Sequence, residues 1–329
     1  MSSPSPQPPE PKDGPTRGSA SSSCSPVIAY VTARKNSRFE EWFLPALLHQ
    51  VTEDERPLVI KIDRYAEEPR TYQFGTITVA VHPPKPCVWS GPHRLTDRDW
   101  FSASSYRNTA LCLVETPFIA YVDDLSVPYP EWWWAAKNAT KYPGTVTAGL
   151  YRRDNDLKVE DGKLVSFTPS PTGVDYRLAR IEKSGKVEGR CQRGIFGCSL
   201  VAPVEALLDV GGWPEMADGL SYEDVLLGWA LHNAGYQFRF DRRLLTHEDE
   251  NAHHEEDPMV RRDKGVSPND KSHAALNIAK ETKCFDNLYP GGTRALRAHV
   301  LAGNPFPVLG KPTHDWYDGM PIAEMDRLI

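Results

Sequence analysis

Nothing in the 329 residues approaches the run of about 20 apolar residues that crosses a bilayer. The amino terminus has no basic stretch followed by an apolar core, so no export signal is read and a cytoplasmic location is expected. Positive charge is not in surplus either: the formal net charge is −6, which argues against a surface built mainly on nucleic-acid phosphates. The six cysteines, at 24, 87, 112, 191, 198 and 284, form no Cys-x-x-Cys pair. Cys191 and Cys198 also stand too far apart for a zinc-knuckle arm, so free buried thiols are expected. With 40% hydrophobic and 25% charged residues, the chain has the makings of a globular protein with one substantial core.

Organisation along the chain begins with a Pro-, Ser- and Gly-rich stretch, residues 1–25, expected to be a disordered arm. Order is expected from Val27-Ile28-Ala29-Tyr30-Val31, an apolar run suited to a strand buried on both faces. Ser37 and Glu40 form a capping-box pattern ahead of an apolar helix stripe, which Pro45 should kink or split. Leu58–Ile62 reads as a second strand ending at Asp63, and 76–81 as a third. A helix is predicted over about 100–115, followed by the strand Phe118-Ile119-Ala120-Tyr121-Val122, which stops at Asp123-Asp124. Residues 151–193 alternate charge with Pro and Gly and are expected to form a long loop or lid. A further helix opens near Ser221, runs to Asn233 and has Gly235 as its C-cap; Gln237–Asp241 and Leu244–His247 follow as strand. Strands alternating with helices predict an α/β fold with a mainly parallel sheet, in which ligands bind outside the carboxyl ends of the strands.

Five groups of residues could carry chemistry. Asp123-Asp124 offers hard oxygen ligands to a cation bridging a diphosphate, although Asp is also common wherever a strand ends in a turn. Glu223-Asp224 falls in the first turn of a helix, where acids favour the macrodipole whatever else they do. His247 follows a strand within a polar run that includes His253 and His254, and a rigidly held imidazole there could reach a metal. Arg107 and Asn108 could reach phosphate or ribose, or simply serve the surface and the helix interior. Of the three tryptophans 132–134, one or two could stack on a sugar ring, with packing the main use of the others.

The succession Val27–Arg34, Leu47-Leu48-His49-Gln50, Asp63, Tyr106-Arg107-Asn108-Thr109-Ala110-Leu111 and Ile119–Asp124 resembles the nucleotide-binding half of family 2 type glycosyltransferases with the GT-A fold. Gly194–Val201, Leu208-Asp209-Val210-Gly211-Gly212-Trp213, Ser221–Trp229 and Asn233-Ala234-Gly235-Tyr236 resemble that family's acceptor half. The resemblance implies a catalytic domain over 26–250, divided at about 130, and a carboxyl-terminal extension over 251–329. It implies nucleotide contacts from Thr32, Arg34, Asp63, Arg107, Asn108 and Asp123, and a divalent cation, Mn2+ or Mg2+, held by Asp123, Asp124 and His247. Asp224 would be the catalytic base, with Glu223 orienting the acceptor. The third position of the expected Asp-x-Asp element is Leu125, which moves the metal carboxylate to Asp124, Asp123 or a residue further away.

The implied reaction is transfer of a sugar, with inversion, from a nucleotide-diphosphate donor, UDP-sugar favoured, to a hydroxyl of a glycan, a lipid-linked or another acceptor. The alternatives are a metal-dependent phosphotransferase or nuclease using the same acids, and a non-catalytic sugar-binding protein on a degenerate transferase fold. A nucleic-acid acceptor is disfavoured by the net charge.

Overall fold

The computed structural model describes residues 25–32, 34–87, 102–171, 173, 175, 177, 186–190, 195–215, 223–254, 289 and 291–307. The amino-terminal arm and most of the 251–329 extension lie outside the described residues, as do Cys24, Cys191 and Cys284 and the side chains of His253 and His254.

Strand β1 (Val27–Thr32) is buried at every position and lies in parallel between β2 (Leu58–Asp63) and β5 (Phe118–Asp123). β4 (Ile77–His82) continues the parallel run beyond β2, and β3 (Arg70–Phe74) closes that edge antiparallel. On the other side β10 (Ser199–Pro203) joins β5 antiparallel, followed by β7 (Thr145–Glu160), β11 (Gln237–Asp249) and the short β6 (Ser126–Pro128). The expected α/β architecture, a sheet flanked by helices, is therefore present.

Side chains on a strand alternate between faces, and β1 and β5 obey this strictly. Ala29, Val31, Ile119 and Tyr121 join the core against α2 (Ala103–Leu113), α4 (Val204–Asp209) and α5 (Glu223–Asn233). Ile28, Tyr30, Ala120 and Val122 face the opposite core, with Phe43, Leu47 and α3 (Trp132–Ala139). Asp123 continues the odd-numbered set and so falls on the side of α2 and α5.

Two expectations are corrected. Ser37 makes no side-chain cap: Arg38, at φ 58°, precedes one wide π-type turn over Phe39–Phe43, and α1 (Leu44–Leu48) starts afresh with Pro45 in its first turn. Proline cannot donate into the preceding turn, and the widened turn lets Leu44 N–H bond to Phe39 O instead. The second correction concerns 151–193, much of which is strand. β7 pairs with β8 (Lys163–Thr168) through the two-residue turn Asp161-Gly162, both at positive φ, the Asp-Gly signature of a hairpin. Leu157, Val159, Leu164 and Phe167 alternate with the charges and bury an apolar stripe against Trp42 and Ala46. Further on, β9 (Glu188–Arg190) pairs with β11. Near the carboxyl end α6 (Glu250–His254) and α7 (Gly292–Leu301) are helical, and among the described residues no helix is long and apolar enough to cross a membrane.

Candidate active site

The parallel strands β4, β2, β1 and β5 all end at one edge of the sheet, where the register sets Thr32 beside Asp63 and Val31 beside Asp123. The chain leaves β1 toward β2 and β4 on one side and returns to β5 on the other, so the order reverses between β1 and β5. Crevices at such reversals are the ligand sites of open α/β sheets. Thr32, Arg34, Asp123 and Asp124 surround this one.

Arg107 organises the site. Its guanidinium donates to both oxygens of Asp123 at 2.7 and 3.0 Å and to Glu223 Oε1 at 3.0 Å, joining the end of β5 to the start of α5. The side chain is held over the Trp213 ring, 4.5 Å from its centroid, and Trp213 meets Tyr121 edge-on. On the other flank a Cβ at Gly197 would collide with the guanidinium, so only glycine allows that approach. Asp224 lies beside this cluster. Burial and the neighbouring charge of Glu223 push its carboxyl up to about 7, with Arg107 and the Val225 N–H, at 2.7 Å, pulling the other way. Burial likewise raises Asp123, against the pull of Arg107 and with the charge of Glu248 adding to it.

Asp124 has a different occupation. Oδ1 accepts from Arg34 at 2.6 Å, and Oδ2 accepts from the Thr32 hydroxyl and the Arg34 backbone N–H, each at 3.2 Å. These bonds tie the loop after β1 to the end of β5 and leave Asp124 positioning Arg34 at the crevice. His247 faces away: it lines a cavity with Phe167 on the other side of the sheet and approaches Asp154 at 3.7 Å, and burial lowers its pKa. Alternation along β11 turns Glu248 to the inner side instead, where Arg153 donates to it at 2.9 Å. Among the described residues no group of three His, Cys, Asp or Glu could hold a metal ion. Asp123 and Asp124 stand at the crevice, bonded to Arg107 and Arg34, whereas His247 lies on the other side of the sheet, so the structure does not bring these three expected ligands together.

Asn108 is engaged within the fold. Its amide donates to Trp213 O at 2.9 Å and to Glu215 at 2.8 Å, and its oxygen accepts from Trp213 N–H at 2.8 Å. It thereby clips the Gly211-Gly212-Trp213 turn, in which Gly212 takes φ +88°. Asn108→Ala should cost roughly 1–3 kcal/mol, since buried partners lose their bonds. Denaturant melts check the loss. Asp63, at the end of β2, accepts from Tyr65 N–H at 2.9 Å and pairs with Lys61 at 3.1 Å.

Glu248 and Arg153 are site neighbours that the sequence reading passed over, and the period-2 pattern of Thr246-His247-Glu248 is the signal that finds them. Cys87, Cys112 and Cys198 are buried and form no disulfide with one another.

The chain matches no protein-family model and no curated protein. Among solved structures it is similar to GalNAc-T7 with UDP, GalNAc and Mn2+, at 10% identity and a TM-score of 0.47, over 92% of this chain and 53% of that one. It is also similar to S. aureus TarS 1–349 in complex with UDP, at 13% identity and a TM-score of 0.43, over 68% of this chain and 60% of that one. The chain thus spans little more than half the length of either.

Proposed function

We propose that the protein is an inverting GT-A glycosyltransferase that takes a sugar from a nucleotide diphosphate, UDP favoured, and passes it to an acceptor hydroxyl. The observation that carries this reading is the side-by-side placement of two parts. One is the crevice edge formed by Thr32, Arg34, Asp63 and Asp123 where the strand order reverses. The other is Asp224, on the same face, with its carboxyl raised to about 7.

In this reading Asp63 contacts the base, while Arg34 and Arg107 offset charge on the diphosphate. The acceptor oxygen bonds to the anomeric carbon from the side opposite the diphosphate. Its proton passes to Asp224, the carbon–oxygen bond to the leaving group breaks, and the electron pair departs with the nucleoside diphosphate. Glu223 is pinned by Arg107 and fixes the start of α5, which sets where Asp224 stands.

A carboxylate works as a base only when ionised, so kcat/KM should rise about tenfold per pH unit below about 7 and level off above it. Initial rates between pH 5.5 and 8.5 check this, and a flat profile would remove Asp224 from the role. Binding is tested first by a thermal-shift screen of nucleotide diphosphates and their sugars. A ligand at 100 times its Kd should add about 2.7 kcal/mol to apparent stability, and no shift with any of them counts against the reading.

A further inference from the structure

The sheet face opposite Arg107 carries a cleft of ≈ 520 Å³ that no part of the proposed reaction uses. Its lining includes Tyr129, Glu131, Arg242 and Arg243, and its size lies within the range of ordinary ligand pockets, roughly 300–1,000 Å³. Tyr129 and His247 also line a neighbouring apolar cavity of ≈ 530 Å³.

The tryptophan triplet shows what the cleft is suited to hold. Trp132 and Trp133 are 0% exposed, whereas Trp134 is 48% exposed. One exposed aromatic would need no explanation. Among the described residues, however, four aromatics are exposed: besides Tyr65, Tyr129 lines the cleft, Trp134 adjoins it through the lining residue Arg243, and Tyr142 lies under Arg239, which shares Glu188 with Arg243. Arginines anchor two of the rings: Arg243 lies 4.2 Å from the Trp134 centroid and Arg239 lies 3.8 Å from that of Tyr142. The arginines are themselves fixed, Arg243 by Asp241 at 2.6 Å and Glu188 at 3.2 Å, and Arg239 by Glu188 at 2.5 Å. The result is a rigid row of ring faces and planar hydrogen-bonding edges.

Charge decides the class of ligand. Arg152, Arg239, Arg242 and Arg243 are matched by Glu131, Asp154, Asp241 and Glu188, so the row favours ions of neither sign. Arg242 is exposed and has no ion-pair partner among the described residues, so its donors are free for hydroxyl groups. Aromatic faces are weakly negative and accept the C–H faces of pyranose rings, while the fixed carboxylates and guanidinium groups suit vicinal hydroxyls.

We propose that this cleft is a saccharide-binding site for neutral oligosaccharides, separate from the donor crevice on the opposite face, with Trp134 as its stacking platform. The proposal stands whether or not the chain transfers sugar. It is tested by applying the full chain to an immobilised panel of neutral and acidic oligosaccharides. Neutral members should retain it. Trp134→Ala should weaken retention about tenfold, and Arg242→Ala by a smaller factor. Trp134→Tyr should keep most of the binding, and the melting temperature without ligand should be nearly the same in all variants, which shows that they fold. Retention by acidic members alone, no retention at all, or retention unchanged by Trp134→Ala would overturn the proposal.

Discussion

Asp224→Asn is expected to lower the rate of sugar transfer by about 10³-fold while leaving UDP affinity within a few-fold. The amide keeps the shape of the carboxyl and its place beside Val225 N–H, but cannot accept the acceptor's proton. The same substitution should stabilise the protein at high pH. In the folded chain burial and Glu223 raise the Asp224 carboxyl to about 7, whereas an unfolded aspartate titrates near pKa ~3.9. The folded state then binds the extra proton between those values, so stability falls as pH rises from about 4 through about 7. Above that range the wild type holds an ionised, poorly solvated acid and the Asn variant does not. At pH 8 the variant should therefore melt above the wild type, and the gap should shrink toward pH 5.5. A variant that is inactive and also fails to bind UDP would instead place Asp224 in the donor site.

Arg107→Ala should lose about 3 kcal/mol of stability, near the lower end of the range for breaking a buried ion pair. The lower end applies because Asp123 and Glu223 keep 30% and 19% of their side-chain surface exposed. Both carboxylates would remain facing each other without their shared cation, and Trp213 would lose the group that covers its ring. Urea denaturation at pH 7 measures the loss. The same variant should also be inactive under conditions where it is folded, because Glu223 no longer anchors the start of α5. Arg107→Lys should recover less than half of the stability, since an ammonium cannot serve two carboxylates in the guanidinium's planar fork.

How much of this was legible in the sequence differs from element to element. β1 and β5 are buried on both faces, so their unbroken apolar runs identified them, and the acids at the end of β5 located the crevice edge. β3 was not foreseen because Arg70–Phe74 is an exposed edge strand that pairs through its backbone and carries little apolar pattern. The β7–β8 hairpin was hidden by its charges, although Asp161-Gly162 marked the turn. Within the site, residue type alone could not separate Asp123 from Asp124. Both are strand-end acids, and only the fold shows that one faces Arg107 while the other is bound by Arg34 and Thr32. His247 and Glu248 differ by a single step along β11, and that step decides which side of the sheet each one serves. Asn108 has the chemistry of a ribose contact, but the Trp213 turn, 105 positions away, takes up its hydrogen bonds.

The proposed reaction breaks the bond between an anomeric carbon and a nucleoside diphosphate. The most direct test is to incubate the purified protein with UDP-sugars, with and without Mn2+, and to separate the nucleotide products by anion exchange. The expected product is UDP, with the sugar transferred or slowly hydrolysed, and no UDP above background from Asp224→Asn. UMP with sugar 1-phosphate would mean attack at phosphorus, and that result would contradict it.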